Sequence, residues 1–338
     1  MSNAILVIVA LKLGISCIKR FAIRPAKLKM NLKKFSKSDS VKVIELPEEL
    51  YHNYNDEDLR ENEVYHNYYE MFGKKIESIV PRQDLDNYYR NFASIKEKKV
   101  LLKDKFSYFL KTGGLVGGGY YTRENKIDLK SSFLSNLMNS IPHELLHVSS
   151  TYYDKENETV YSGFYQCFFK KDKKKSESYG LGINEGYTQY LTNKYFNNST
   201  SLSLSTYKEE QIIAKGLERI IGEQKIQSMY FRADLHSLVS ELEKYATKDE
   251  IYKFINLTDL LCISTRDKKL KLDELDKAKE FINLFLMKAY IGSIKEKNDI
   301  DDNKLLSFIS ECLPYKDVKN IAEVLRIKND YNDITFGK

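Results

Sequence analysis

The stretch Ile141 to Ser150 constrains this chain more than any other, because it contains the pattern His-Glu-x-x-His at His143, Glu144 and His147. Residues four apart share one face of an α-helix, so both imidazoles can reach a single ion while Glu144 stands beside them. Neutral imidazole suits Zn²⁺, and two histidines with one carboxylate leave a fourth position for water, whose pKa the metal lowers to about 7. Glu144 is then the base that takes the water's proton. Leu145, Leu146 and Val148 supply the apolar face that buries such a helix. Pro142 places the expected helix start near Ser140, with a kink inside a longer helix as the alternative.

A third protein ligand has to come from elsewhere. Ser150 and Tyr153 occupy the positions where a longer His-x-x-Gly-x-x-His pattern would place its glycine and third histidine. Glu156, Glu158 and Glu177 lie in polar, loop-like surroundings. Glu185 opens an amphipathic segment in which Ile183, Tyr187, Tyr190, Leu191 and Tyr195 recur at helical spacing, with Asn184 as the expected N-cap. Glu185 is therefore the candidate ligand, presented from the first turn of a second helix.

Other regions are read by the same patterns. Glu45 to Arg90 is expected to be helical, broken at Pro81. Its two Tyr-His-Asn-Tyr copies put His52 and His66 about 21 Å apart on one helix, too far to share an ion. Lys99 to Leu102, Phe106 to Leu110 and Tyr120 to Leu129 read as strands, the last with a bend at Asn125. The glycines from Gly113 to Gly119 are not a phosphate loop, since no Gly-Lys-Ser/Thr follows them. They are either a hairpin turn or a place where a substrate backbone approaches closely. Val160 to Phe169 reads as a strand or hairpin, and helices are expected at 207–223, 225–245, 248–264, 272–294, 303–312 and 316–327.

The formal charge of +6 is mild and concentrated in the first 37 residues and in the lysine run from Lys170 to Lys175, so no nucleic-acid partner is expected. The four cysteines form no Cys-x-x-Cys pair or dense framework, which points to reduced thiols and a cytoplasmic location. The apolar segment Ala4 to Ile18 is interrupted by Lys12 and too short to span a bilayer. Secretion or lipid anchoring through Cys17 is the minority reading.

His-Glu-Leu-Leu-His at 143–147, followed by Asn-Glu-Gly-Tyr-Thr-Gln-Tyr-Leu-Thr at 184–192, resembles the gluzincin metallopeptidases, the thermolysin-like clan. The resemblance covers roughly residues 118–197. It implies one Zn²⁺ per chain held by His143, His147 and Glu185, with Glu144 as general base and proton shuttle. It also implies that Gly118 to Tyr121, and Gly119 and Tyr120 in particular, match an edge strand that binds substrate backbone. The clan uses a downstream Tyr or His to stabilise the oxyanion; Tyr230 is the favoured counterpart here and His236 the other candidate. Two departures stand out: an aromatic hairpin and lysine loop intervene between His147 and Glu185, and Gln189 replaces the Asp that orients a ligand histidine. Thr188 or Gln189 is left as the possible partner of a ligand imidazole.

The expected fold class is α+β, with a zincin-like catalytic core, a small sheet beside the active-site helices, and an α-helical C-terminal subdomain. The expected division is a basic leader at 1–44, the core at 45–200 and the helical subdomain at 201–338. The expected activity is zinc-dependent hydrolysis of peptide or protein substrates; the alternative is a catalytically silent zinc-fold protein that binds a partner.

Overall fold

The computed structural model describes residues 63–93, 96–100, 118–122, 125–130, 134–169, 176–196, 207–267, 272–296 and 302–315. Several expectations lie outside these residues: the basic leader, the first Tyr-His-Asn-Tyr copy, the 106–110 strand, most of the glycine cluster, the lysine run and the 316–327 helix.

Helices predominate over two small sheets. Helix α1 (Glu63–Ile79) ends before Pro81, a short 3-10 turn follows at Arg82–Asp84, and α2 (Asp86–Phe92) completes the first helical unit. Proline fixes its own φ and has no N–H to continue a helix, which explains the break. The first sheet has the order β1-β3-β2, from β1 (Lys96–Val100), β2 (Gly118–Tyr121) and β3 (Lys126–Lys130). β1 runs parallel to β3 and β2 antiparallel to it, with Tyr120 opposite Ile127. The single strand expected over 120–129 is thus a hairpin, turned where Asn125 adopts φ 45°. Asparagine is among the few side chains that tolerate this left-handed region.

Helix α3 (Leu134–Ser149) carries the histidines and runs through Pro142. It follows the longer-helix alternative; its start near Ser140 is not observed. A four-stranded antiparallel meander comes next: β4 (Thr151–Asp154), β5 (Thr159–Ser162), β6 (Tyr165–Phe169) and β7 (Ser176–Tyr179), paired in that order. Helix α4 (Leu181–Tyr195) leads out of it.

The remaining helices are α5 (Lys208–Ile221), α6 (Glu223–Phe231), α7 (Leu235–Leu242), α8 (Lys248–Asp267), α9 (Leu272–Glu296) and α10 (Asp302–Cys312). The helix expected over 225–245 is divided in two because Ala233, at φ 58°, leaves the helical region. α4 packs on α3, α5 and α8. Leu145, Leu146, Phe164, Tyr187, Leu217 and Phe254 belong to one buried apolar cluster, which fixes these elements against one another. Among the described residues no helix is long and apolar enough to cross a membrane.

Candidate metal centre

The apolar side of α3 holds the site in place from below. Leu145, Leu146 and Val148 are fully buried, and the helical register sets His143, Glu144 and His147 on one face, with Leu145 opposite them and Leu146 and Val148 on the flanks. Buried hydroxyls satisfy the carbonyls at the helix end. Ser149 Oγ donates to Leu145 O at 2.7 Å, Ser150 Oγ to Leu146 O at 2.9 Å and Thr151 Oγ1 to His147 O at 2.6 Å. Asn91, from α2, adds two more bonds, donating to the carbonyls of Val148 and Thr151 at 2.7 Å each. These bonds give the carbonyls of Leu146, His147 and Val148 acceptor roles where the helix passes directly into β4.

Helix α4 brings Glu185 to the histidines. A Cβ on Gly186 would collide with the Glu210 carbonyl, so the absence of a side chain there lets α4 and α5 cross closely. The Glu185 carboxylate turns one oxygen to each imidazole, at 3.4 Å from His143 Nε2 and 3.7 Å from His147 Nε2. The two Nε2 atoms are 3.1 Å apart. The expected triad is thus assembled, with one ligand atom from each residue all within 4.8 Å of one another, and such a group can hold a metal ion.

The two carboxylates at the site are driven in opposite directions. Burial pushes Glu185 up, but His147 and His143 outweigh it and hold the carboxyl well below its usual range. Burial pushes Glu144 up to about 7; His143 and a hydrogen bond from the Tyr120 N–H oppose the rise, and the Glu185 charge adds to it. Glu185 is accordingly a permanent anion facing the imidazoles, while Glu144 is poised to exchange a proton near neutrality.

The partners of the imidazoles differ from those suggested by the sequence. Gln189 donates to Asn193 at 3.2 Å, and Thr188 Oγ1 bonds the Asn184 carbonyl and the Tyr230 hydroxyl. Asn184 is the residue beside His147, with Nδ2 3.5 Å from Nδ1, and its Oδ1 accepts the Phe164 N–H at 3.1 Å. If Nε2 serves an ion, Nδ1 carries the ring proton and cannot accept from an amide NH₂, so this is a loose polar contact. His143 Nδ1 is buried and has no hydrogen-bond partner among the described residues. Asn184 is also not the N-cap expected from the sequence, since α4 starts a turn earlier, after Gly180, and Glu185 lies past the first turn.

The remaining candidates fall on both sides of the site. Gly119 and Tyr120 lie on β2, which packs on α3, and the Tyr120 backbone reaches Glu144 directly. The Tyr120 hydroxyl donates to Asn125 Oδ1 at 2.9 Å. Tyr230 is fully buried, with its hydroxyl 2.7 Å from Thr188 Oγ1 and also bonded to Ser150, and burial raises its pKa. It is near enough to feel the Glu185 charge, yet it faces the packed interior of α4 and α6. His236 is exposed on α7. Sequence reading missed Tyr207, whose ring stacks on His143 with centroids 6.2 Å apart and planes 10° from parallel. It takes the left-handed conformation, φ 64°, at the N-cap of α5. Nothing in the local sequence marks it, because its position follows from how α5 crosses α4.

No family model matches the chain, and comparison with curated proteins and with solved structures finds no significant match.

Proposed function

We propose that the protein is a zinc-dependent metallopeptidase that hydrolyses peptide or protein substrates, with the ion held by His143, His147 and Glu185. The observation that carries this reading is the spacing of the three side chains. Ligand atoms about 2.0–2.1 Å from a tetrahedral zinc ion stand about 3.3–3.4 Å from one another. The separations in this protein are 3.1, 3.4 and 3.7 Å. Two imidazole nitrogens that close, facing a carboxylate, must share either a proton or an ion, and a His-His-Glu set is a zinc-type donor set.

When bound, zinc supplies Lewis acidity that brings the pKa of water near 7 and polarises a carbonyl. Glu144 performs the proton transfers: it accepts a proton from the attacking water and passes it to the leaving amine. Burial lifts the Glu144 carboxyl above its ordinary range in the metal-free protein, and the charge of a bound cation would draw it back toward the ionised base that accepts the water's proton. Glu185 stays ionised throughout. β2 lies at the edge of its sheet among the described residues, and its Tyr120 N–H holds the Glu144 carboxylate, so a substrate laid along Gly119 and Tyr120 would run past the base.

Digestion of casein or a peptide library, with and without chelator, tests the reading. Chelator should abolish cleavage, and Glu144→Gln should keep the metal and lose at least about 100-fold in rate. A Glu144→Gln variant that cleaves as well as the parent would show the mechanism to be wrong. One observation favours a second reading, a silent metal-fold module that binds a partner: the Tyr230 hydroxyl is committed to Thr188 and Ser150 and offers no donor to an oxyanion. Zinc binding without any chelator-sensitive cleavage would select that reading.

A further inference from the structure

We propose that Asp259 is a positioning residue for the metal site: from α8 it clamps the N-terminus of α4, and so sets where Glu185 meets the two histidines. The inference rests on the metal-site reading and extends it to a residue in a distant part of the sequence.

The start of α4 lacks a cap of its own. Its N-cap is Gly180, in the left-handed region at φ 80°, with no side chain to accept the first N–H groups. Those groups have no partner inside the helix and need an acceptor when buried. Asp259 provides it with both oxygens: Oδ2 accepts the Gly180 N–H and Oδ1 the Gly182 N–H, each at 2.8 Å. A carboxylate at a helix N-terminus also meets the positive end of the helix dipole.

Two bonds from one rigid carboxylate restrict both rotation of α4 about its axis and sliding along it. The neighbouring backbone tightens the hold. A Cβ at Gly182 would lie 2.6 Å from the Thr258 carbonyl oxygen, so α8 touches α4 at the level of the clamp. Glu185 follows Gly182 by three residues, about 4.5 Å along the axis. The clamp and the ligand therefore lie within one turn of each other, and any looseness at the first is passed to the second. Metal bonds tolerate displacements of only about 0.2 Å. Burial pushes the Asp259 carboxyl up to about 7 against the pull of the Gly182 and Gly180 N–H groups, and removing it leaves those two donors unpaired.

A cap that only stabilises the fold can be told apart from one that positions a ligand. Asp234 caps α7 with similar chemistry, accepting from Ser237 N at 2.9 Å and Ser237 Oγ at 2.6 Å. The full chain is compared with Asp259→Ala, Asp259→Asn and Asp234→Ala. Each protein is stripped of metal and melted, and its zinc affinity is then measured by competition with a chromophoric chelator at a temperature where the apo protein is folded. Asp234→Ala should lower Tm and leave zinc affinity within twofold of the parent. Asp259→Ala should weaken zinc binding about tenfold or more. Asp259→Asn should fall between, since a carboxamide oxygen accepts one N–H while its NH₂ opposes the other.

Zinc affinity of Asp259→Ala within twofold of the parent, with a lowered Tm, would overturn the positioning role and leave the metal site intact. If Asp259→Ala does not fold, Asp259→Asn decides by the same criterion. A parent that binds no zinc would overturn both the positioning role and the functional reading beneath it.

Discussion

Replacing Glu144 by Gln should change how the stability of the metal-free protein depends on pH. Glu144 is 7% exposed, and burial lifts its pKa from an ordinary 4.5 to about 7. Between those values the folded protein keeps a proton that the unfolded chain has released, so stability falls as pH rises. The contribution is fully present below about 4.5 and lost once the pH passes about 7. Each pH unit in that window removes about 1.4 kcal/mol, giving a total loss of about 3 kcal/mol. Glutamine stays neutral throughout and can still accept the Tyr120 N–H. Glu144→Gln should therefore gain on the parent by about 3 kcal/mol between pH 4.5 and pH 8. At about 2.1 cal/mol/K of unfolding entropy per residue, 338 residues convert this to a gain in Tm of about 4 °C. Thermal melts of both proteins in chelator at pH 5, 6, 7 and 8 provide the measurement. The Glu185 contribution is common to both and cancels to first order in the difference. A Tm difference that stays flat across this range would refute the account of Glu144 as a desolvated carboxyl.

Tyr230→Phe removes a hydroxyl bonded to Thr188 and Ser150 inside the core, and should cost about 1–2 kcal/mol in stability with peptide hydrolysis within about threefold of the parent. A loss of 100-fold or more with zinc retained would return the oxyanion role to Tyr230. Asn184→Asp places one oxygen on the Phe164 N–H and the other beside His147 Nδ1, where the ring proton now lacks an acceptor. Zinc affinity should rise about tenfold by chelator competition, and unchanged or weaker binding would contradict this reading of the contact.

The parts of the site that could be read from sequence are those set by local periodicity. The four-residue spacing of His143 and His147 fixes a shared helix face, and the 3.6-residue recurrence around Glu185 gives its helix. What could not be read depends on distant partners. Asn184 looks like an N-cap by residue type, but the cap of α4 is Asp259, 77 residues beyond Gly182, so α4 begins a turn earlier. β4 and β7 have only four residues each and too little alternation to register as strands. β4 also follows α3 with only Ser150 between them, where sequence periodicity alone extends the helix. The division at Ala233 is a positive-φ alanine, which residue preference argues against. Tyr207 reaches His143 only through tertiary packing.

Metal analysis of the protein purified without chelator tests the central claim most directly. The geometry of His143, His147 and Glu185 predicts about one zinc per chain, lost in Glu185→Ala protein that remains folded. Less than about 0.2 zinc per chain in the parent, or equal zinc in parent and Glu185→Ala, would contradict it.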